Sequence, residues 1–389
     1  MPPNCRGLKS WSRFFSDIYS LPNTSIFWPA MRQQSPNPAH RPTALVFFSG
    51  VLGHVVKSLE FFVLSLIDVT KRKSYPLMVK QTLRSEAEKA AIKERKKPSP
   101  KSAKKPKKLS GRPKGVLNKD KTQLDLSDEL LRINELLKVL VKLIRVFVAV
   151  KYLALDGHFG HHQAVLMALE NGLDLISKLR KDAALFERYE GEYVGRGRQR
   201  KYGEKLDYEK LPIKYLKKSE REGDLITNTY QGLFLSKSFA QALNVVILEK
   251  INLKSQKTGH VILFSSAVEL SAEKLVEYYS LRFQIEFNFR DAKQHFGLED
   301  FMTTREVGVE NAANLAFLMV NVSAKLLQEG EAKCVGINDL KSQFRGVKYA
   351  LETIKLLEPK AEMILIKKVK EVISRIGSIH RHNFSNSSP

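Results

Sequence analysis

The sequence has almost no cysteine. Among its 389 residues, only Cys5 and Cys334 are cysteines. Two isolated thiols exclude the disulfide framework of a small secreted domain, and they exclude a zinc site built from several cysteines. Scarce cysteine is typical of proteins in a reducing compartment, so we expect a cytoplasmic protein.

Long hydrophobic runs are lacking as well. The most apolar stretch, residues 43–68, is interrupted by His54, Lys57 and Glu60, whereas a membrane-spanning helix needs about 20 consecutive apolar residues. The first residues do not show the pattern of a secretory signal peptide. Hydrophobic residues nevertheless make up 43% of the chain. We therefore expect no membrane segment. The length allows a real core in two or three domains, or in one domain with a large insertion.

Negative charge is in short supply. The 65 lysines and arginines outnumber the 41 aspartates and glutamates, which gives a net charge of +24 at pH 7. Half of this excess lies in residues 80–122, which hold 16 basic residues and four acids. Such a charge favours a polyanionic partner, with double-stranded DNA as the main candidate and an anionic membrane surface as the alternative. Pro98, Pro100 and Pro106 argue against a continuous helix in this window, so a flexible basic insertion is predicted.

The basic insertion contains a short motif, GRPKG at residues 111–115. A Gly-Arg-Pro core lays an extended arginine into the narrow minor groove of AT-rich DNA, which makes Arg112 a candidate DNA contact. The full motif would carry an arginine before the glycine, where this chain has Ser110. The electrostatic signal of the insertion is therefore stronger than the motif itself.

Apolar runs that alternate with helical patterns predict an α/β protein. Strands are predicted at 58–69, 74–83, 148–156, 173–180, 244–253 and 259–268, and helices at 127–144 and 161–172. The order strand, helix, strand over residues 148–180 indicates a parallel pair joined by a crossover. The last two strands are predicted to form a hairpin. Together these elements indicate a mixed sheet with flanking helices.

One helix, predicted for residues 271–297, carries the most informative pattern of the chain. The pattern is Y-x2-R-x3-E-x6-K, and its residues are Tyr279, Arg282, Glu286 and Lys293. At 100° per residue they fall within an arc of roughly 60°, separate from the apolar stripe of the helix. One face would pack, and the other would present a carboxylate flanked by cations. The alternative is an ordinary amphipathic helix with a solvated charged face.

A second carboxylate stands at the end of a predicted strand. Asp156 closes the apolar run LALD and begins the sequence DGHFG. Because strand ends border the ligand crevice in open α/β sheets, an acid at this position is well placed to bind a metal ion. The alternative is an aspartate that only forms the turn before a glycine.

Three histidines follow Asp156 closely. His158, His161 and His162 form the pattern HxxHH, which raises the alternative of a zinc site. No cysteine or fourth ligand is near them in the sequence. We therefore favour a loop residue near DNA for His158 and the start of a helix for the other two.

These motifs resemble those of one known family. The Y-R-E-K pattern, FGLEDF at 296–301 and the helix at 311–327 are similar to DDE transposases of bacterial insertion sequences, specifically the insertion-sequence-four group. The stretches LALDGHFG and LISKLR resemble the second-aspartate region of that group. The resemblance covers roughly residues 45–355. It implies an α/β, ribonuclease-H-like mixed sheet with flanking helices and a β-rich insertion.

The resemblance implies metal-dependent chemistry on DNA. Asp156 and Glu286 would be catalytic carboxylates that bind Mg²⁺ or Mn²⁺. The family cleaves the ends of its element and transfers the strands to a target, and two such ions suit that in-line displacement. The implied partner is double-stranded DNA, bound by a homodimer. The implied location is the bacterial cytoplasm, in association with the nucleoid.

The resemblance also implies DNA contacts. Tyr279, Arg282 and Lys293 would contact the phosphates and the end nucleotides of the DNA. Lys178 and Arg180, at the end of LISKLR, would hold the scissile strand. The alternative for these last two residues is ordinary surface charge.

The same resemblance divides the chain into segments. They are an irregular N-terminal remnant (1–45), the first part of the catalytic domain (46–185) with its basic insertion (80–122), an inserted subdomain (186–243), the second part of the catalytic domain with the Y-R-E-K helix (244–330), and a helical C-terminal region with a tail (331–389).

One of the three acids of a DDE site is missing. Related proteins carry Asp-Pro-Ser and then Lys-Ser-Gly before the strand at 58–69, whereas residues 31–43 contain no acid. The family pattern resumes at residues 47–53. We interpret the break as a frameshift, a deletion or a wrong start upstream of about residue 43, which also leaves little room for an N-terminal DNA-binding region. Asp68 is the other nearby acid and is an alternative first ligand.

Three hypotheses remain at this point. The first is a transposase of an insertion sequence, in the form of a degenerate, inactive copy or an active one. The second is a non-catalytic DNA-binding protein derived from a transposase. The third is a basic protein of a membrane surface or the ribosome, and the spacing of the Y-R-E-K pattern counts against it.

Overall fold

The computed structural model describes residues 25–29, 33–35, 45–49, 54–85, 120–193, 199–300, 305–329 and 336–355, with a few short stretches between and after them. Side chains are described from Leu59 onward. The candidate DNA contact Arg112 and the centre of the basic insertion lie outside the described residues, as does the C-terminal tail.

Eleven strands form the main sheet of the described residues. They are β1 (Ser25–Pro29), β2 (Gln33–Ser35), β3 (Leu45–Ser49), β4 (His54–Asp68), β5 (Lys73–Gln81), β6 (Val150–Ala154), β7 (Asp174–Lys178), β10 (Leu216–Glu222), β11 (Leu225–Phe234), β12 (Leu243–Asn252) and β13 (Lys257–Ser265). Two short strands, β8 (Phe186–Arg188) and β9 (Tyr202–Lys205), form a separate pair.

The strand order of the main sheet is β10-β11-β12-β13-β7-β6-β1-β4-β2, and β3 and β5 also pair with β4. Only the central pairs β1–β6 and β6–β7 are parallel, and the other pairs are antiparallel. The parallel centre follows from the crossover helix between β6 and β7. This mixed order confirms the prediction of a ribonuclease-H-like α/β fold.

Helices cover both faces of the sheet. They are α1 (Asp128–Ile144), α2 (His162–Glu170), α3 (Ala272–Ser280), α4 (Gln284–Phe296), α5 (Glu306–Glu329) and α6 (Ile337–Lys355). The apolar sides of α1 and α2 pack against one face in a single buried cluster. A second buried cluster joins α3, α4 and α5 to the opposite face. Successive side chains of a strand point to opposite faces of the sheet, so neighbouring residues contribute to different clusters. Leu153, for example, is in the first cluster and Ala154 is in the second.

The structure confirms the hairpin β4–β5, the crossover unit β6–α2–β7 and the hairpin β12–β13. It corrects two boundaries. Strands β1 and β2 lie within the N-terminal segment (1–45) that was predicted to be irregular, because short strands flanked by prolines lack a periodic signal of their own. Strand β5 continues to Gln81, so the basic insertion (80–122) begins later than predicted.

The segment predicted as an inserted subdomain (186–243) contains β8, β9, β10 and β11. Two of these strands, β10 and β11, continue the main sheet beyond β12. The β-rich insertion is thereby part of the same sheet that carries the candidate site. Every residue of β10, the edge strand of the sheet, is exposed, and five of its seven residues are Lys, Arg or Glu. Charge on an edge strand opposes pairing with another chain.

A buried amide fixes the segment that leads into α3. Asn244 on β12 donates hydrogen bonds to the carbonyl oxygens of Ala267, Val268 and Leu270, at 3.0, 3.2 and 2.7 Å. Gln231 donates to Leu270 as well, at 2.8 Å. These bonds satisfy carbonyl groups that have no strand partner. The start of α3 is therefore held at a defined place above the sheet.

The predicted single helix over 271–297 is two helices. Ser271 caps α3 and Gly297 ends α4 in a left-handed conformation, as expected. Between the two helices lies a 3-10 turn at Leu281–Phe283. The sequence has no glycine or proline at these positions, so no local signal predicts that the helix is interrupted there. Leu281 is buried in the cluster beneath it, which indicates that tertiary packing causes the tighter turn.

The turn after β6 fits closely against the end of β7. A Cβ atom on Gly160 would lie in forbidden contact with the carbonyl oxygen of Lys178, which is backbone and cannot swing away. The same turn carries Asp156, so this close approach sets the position of that carboxylate.

We predict that Gly160→Ala lowers the free energy of unfolding by about 1–3 kcal/mol, because overpacking must push the turn away from β7. Gly259→Ala on β13 is the matched control, since a Cβ atom there meets nothing within 4 Å. Urea unfolding of both variants measures the difference. Equal stability of the two variants would contradict the packing of this turn.

Candidate active-site cleft

Asp156 follows β6 and begins a short 3-10 turn, Gly157–Phe159. Its carboxylate accepts a hydrogen bond from the backbone N–H of Gly157 at 2.6 Å. Its carbonyl oxygen accepts one from the hydroxyl of Ser177 at 2.9 Å. The two bonds tie Asp156 to its own turn and to β7. The prediction that Asp156 stands at the edge of the sheet is therefore confirmed.

Tyr279, in the last turn of α3, and Arg282, in the 3-10 turn that follows, lie close together. Residues three apart on a helix are neighbours on its surface, and the guanidinium of Arg282 lies 5.8 Å from the centre of the Tyr279 ring. Burial raises the pKa of the Tyr279 phenol, Arg282 opposes this rise, and the charge of Asp156 adds to it. Tyr279 is thus neutral at pH 7, keeps its hydroxyl proton, and lies close enough to Asp156 to sense its charge.

A cleft of about 380 Å³ opens between the end of β6, α1, β4 and the 3-10 turn before α4. Both Asp156 and Arg282 line it. The remaining lining residues are Glu60, Phe61, Phe62, Lys80, Gln81, Thr82, Glu129, Arg132, Ile133, Leu136, His158 and Phe159. Apolar side chains, the acids Glu60, Glu129 and Asp156, and several basic side chains therefore line the same cleft.

Two acids of the cleft were missed by the sequence analysis. Glu60 is buried on β4 and forms an ion pair with Arg84 at 2.9 Å. Glu129 lies in the first turn of α1 and contacts the imidazole of His158 at 3.3 Å. An acid inside a strongly apolar strand was a usable signal for Glu60. Its partner, 24 residues away in the chain, was not predictable from local pattern.

Glu286 lies one helical turn beyond Arg282, on α4. The helix pair runs from β6, where the rings of Tyr278 and Tyr152 are 5.4 Å apart, to β5. There the amide of Asn288 donates to the hydroxyl of Ser74 at 2.8 Å. Glu286 lies between these two contacts, two residues before Asn288, and it is not among the residues that line the cleft.

The predicted DNA contacts do not all gather at the cleft. Lys178 ends β7 with its side chain against Gly157, so it lies beside the Asp156 turn. Arg180 is 87% exposed and pairs with Asp182 at 3.4 Å. This geometry fits the alternative that Arg180 is an ordinary surface charge. Lys293 pairs with Glu299 near the far end of α4. No contact places Lys293 or Arg180 at the lining of the cleft.

The histidines each have different surroundings. His158 faces Glu129, and the Nε2 atom of His162 lies 2.5 Å from the carbonyl oxygen of Lys121. Burial lowers the pKa of His161, and the neighbouring His158 adds to this shift. Within the described part of the chain, no group of three or more His, Cys, Asp or Glu residues is arranged to hold a metal ion. The geometry therefore gives the HxxHH zinc alternative no support.

Strand β1 occupies the central position of the sheet, between β6 and β4. Its sequence is SIFWP, and the chain contains no Asp or Glu between Asp17 and Glu60. The strand that runs parallel to the Asp156 strand thus brings no carboxylate to the sheet edge.

Asp68 does not fill this gap. Ser25 of β1 pairs with Asp68 on one side and with Val150 on the other, so Asp68 is level with the start of β6. Asp156 lies six residues further along, about 20 Å at the rise of a strand. Asp68 is buried and accepts a hydrogen bond from the backbone N–H of Lys71 at 3.0 Å. It stabilises the β4–β5 turn at the opposite edge of the sheet.

The carboxylate oxygens at the cleft are of the type that binds a divalent metal ion, but too few of them come together. Carboxylate oxygens are the ligands that Mg²⁺ prefers. One oxygen of Asp156 is engaged by Gly157, and Glu60 and Glu129 are engaged by Arg84 and His158. The described residues therefore do not assemble the three carboxylates that a DDE site needs.

Comparison with protein families finds one match for this part of the chain. Residues 133–322 match the family described as "Transposase DDE domain". The match begins in α1 and ends in α5, so it includes Asp156, Tyr279, Arg282 and Glu286 and leaves out β1–β5. No curated protein matches the chain. In the part of the chain that the structure describes, no helix is long and apolar enough to cross a membrane.

We predict that Asp156→Asn and Asp68→Asn differ in their effect on metal binding. Asp156→Asn should weaken Mn²⁺ binding by more than the roughly tenfold loss that an outer-shell change causes. Asp68→Asn should leave the affinity unchanged, because its side chain is at the other edge of the sheet. Titration calorimetry measures both. A larger loss in Asp68→Asn would make Asp68 the missing ligand.

Proposed function

We propose that the chain is a transposase-derived protein that binds double-stranded DNA at the cleft, and that its strand-cleaving activity is impaired. One observation carries the second half of the proposal. The strand at the centre of the sheet, β1, has no acid, and the chain has none in residues 18–59. The match to a transposase DDE domain over 133–322 supports the first half.

The residues beside Asp156 suit contact with a DNA backbone. Arg282 can present guanidinium N–H groups in a planar fork that matches phosphate oxygens. Tyr279 keeps its proton because its pKa is raised by burial, so it can donate a neutral hydrogen bond. Lys178 supplies a cation on the other side of the Asp156 turn. We infer that these three side chains hold one phosphate strand in front of Asp156.

Asp156 and Glu286 would be the two carboxylates that face a divalent metal. When bound, such ions activate a nucleophile and stabilise the leaving oxygen of a phosphodiester. Two carboxylates are one fewer than a DDE site uses. For this reason two functions fit the chain equally well. One is a transposase of an insertion sequence, and the other is a non-catalytic DNA-binding protein derived from a transposase.

The first prediction concerns cleavage. In the presence of Mg²⁺ or Mn²⁺, the unmodified chain should show little nicking of a supercoiled plasmid. The plasmid carries the DNA that flanks the coding sequence of the chain. Ala30→Asp, directly after β1, should increase nicking about a hundredfold or more, since a missing electrostatic group costs several kcal/mol of transition-state stabilisation. Adding Glu286→Gln to Ala30→Asp should abolish the gain.

Thr24→Asp is the matched control, because it places the same acid just before β1, at the strand end nearer Asp68. It should not restore nicking. Robust nicking by the unmodified chain would contradict the proposed loss of activity. Equal rescue by both substitutions would show that added charge, rather than a carboxylate after β1, is responsible.

The second prediction concerns the basic insertion. Residues 95–119 contain 11 lysines and arginines and no acid. Both flanks of the insertion contact the body of the protein. On the N-terminal flank, Glu88 accepts two hydrogen bonds of 3.1 Å from Arg132. On the C-terminal flank, Lys121 donates a hydrogen bond to the carbonyl oxygen of Lys237. Replacing 95–119 by a Gly/Ser linker of equal length therefore removes charge while keeping the flanks.

This replacement should flatten the dependence of duplex affinity on salt. Each lost phosphate contact reduces the slope of log K against log salt by about 0.9. Fluorescence anisotropy with one duplex at several salt concentrations gives the slope. If the slope is the same in both proteins, the insertion does not contact DNA.

A further inference from the structure

An acid from the N-terminal flank of the basic insertion holds one of the basic side chains of the cleft. Arg132, on α1, lines the cleft, whereas Glu88 is not among the lining residues. The guanidinium of Arg132 donates two hydrogen bonds of 3.1 Å, one to each carboxylate oxygen of Glu88. The side chains are 32% and 15% exposed, respectively. The planar fork of a cleft arginine is therefore occupied by a carboxylate of the same chain.

A second arginine adds positive charge near Glu88. Arg84 pairs at 2.9 Å with Glu60, which lines the cleft. Burial raises the pKa of the Glu88 carboxyl, the hydrogen bonds from Arg132 lower it, and the charges of Arg132 and Arg84 lower it further, so that the net shift is downward. Glu88 is thus a carboxylate at pH 7. A phosphate group suits the same position, because it also offers paired oxygens to the fork of an arginine.

A local motif explains why Glu88 is held in place, and this motif does not involve Arg132. The backbone N–H of Ser85 donates to the Glu88 carboxylate at 3.0 Å, and the backbone N–H of Glu88 donates to the Ser85 hydroxyl at 3.1 Å. This reciprocal pair is a capping box, which uses either glutamate or glutamine at the position of Glu88. The capping box needs an oxygen acceptor and no charge. It does not account for the negative charge that Glu88 places on Arg132.

Glu88 lies close in sequence to the most basic part of the chain. Residues 95–119 contain 11 lysines and arginines and no acid. A duplex bound by these residues would bring phosphates to the neighbouring flank, because binding at one site raises the effective concentration at a second, tethered site. Many phosphates would then compete with one carboxylate for the guanidinium of Arg132.

We propose that Arg132 binds a phosphate of double-stranded DNA in the cleft, and that Glu88 occupies this site until the DNA displaces it. The inference rests on the proposed function, because it needs DNA at the cleft. Displacement exchanges one anion for another at the same guanidinium. The apparent affinity for DNA is therefore reduced by the fraction of molecules in which Glu88 holds Arg132. Glu88 acts as an internal competitor of the DNA backbone.

Glu88→Gln is the test variant, because glutamine keeps the capping box and removes the negative charge. It should bind a duplex about two- to tenfold more tightly than the unmodified chain, the range expected when a partly buried ion pair no longer competes. Glu170→Gln is the matched control. Glu170 pairs at 3.0 Å with Lys138, on the same helix α1, and neither residue lines the cleft. The control makes the same change in net charge and should leave the affinity nearly unchanged.

Arg132→Gln completes a double-mutant cycle with Glu88→Gln. Alone, it should weaken duplex binding and reduce the slope of log K against log salt by about 0.9, the value for one phosphate contact. In the Arg132→Gln background, Glu88→Gln should no longer tighten binding, because the guanidinium that it releases is gone. Fluorescence anisotropy at several salt concentrations gives the affinities and slopes, and circular dichroism checks that every variant is folded.

The outcomes separate this inference from the proposed function. Equal affinity of Glu88→Gln and Glu170→Gln overturns the inference and leaves DNA binding intact. Weaker binding by Glu88→Gln also overturns it, because the ion pair would then support DNA binding. Tighter binding by Glu88→Gln that persists without Arg132 overturns the assignment of the phosphate to Arg132. If the unmodified chain and all variants fail to bind a duplex, the proposed function fails together with the inference.

Discussion

The register between β1, β4 and β6 is the constraint on which the site depends. Ser25 pairs with Val150 on one side and with Asp68 on the other. Because these strands are fixed in this register, the residues that follow β1 and β6 lie at the edge of the sheet that carries Asp156. Asp68 is at the other edge, about 20 Å away along the strand. If the chain lacks a catalytic carboxylate, as we propose, the segment after β1 is where it is lacking.

The other acids around the cleft have polar partners of their own. Glu60 has Arg84, Glu88 has Arg132, and Glu129 has His158. A buried acid that lost its cation would be costly, so the pair of Glu60 with Arg84 helps to hold this wall of the cleft in place. On the proposed function, the chain would lack one catalytic ligand and still keep a structured cleft next to Asp156.

Sequence pattern predicted what is local and missed what is long-range. The continuous apolar run before Asp156 and the turn after it predicted that residue's place, and the caps at Ser271 and Gly297 predicted the ends of the Y-R-E-K segment. The 3-10 turn at Leu281 could not be predicted, because packing beneath it overrides an unbroken helical pattern. Strand β1 was missed because its partners are more than 30 residues away in the chain.

The separation of the Asp156 and Glu286 carboxylates tests the central claim most directly. A crystal structure of the chain with Mn²⁺ and a short duplex would give it. Two ions that share a phosphate are about 4 Å apart, so a site of this kind requires carboxylates within about 10 Å of each other. We predict that the carboxylates of Asp156 and Glu286 lie less than about 10 Å apart. A larger separation would contradict the assignment of these two residues to one site.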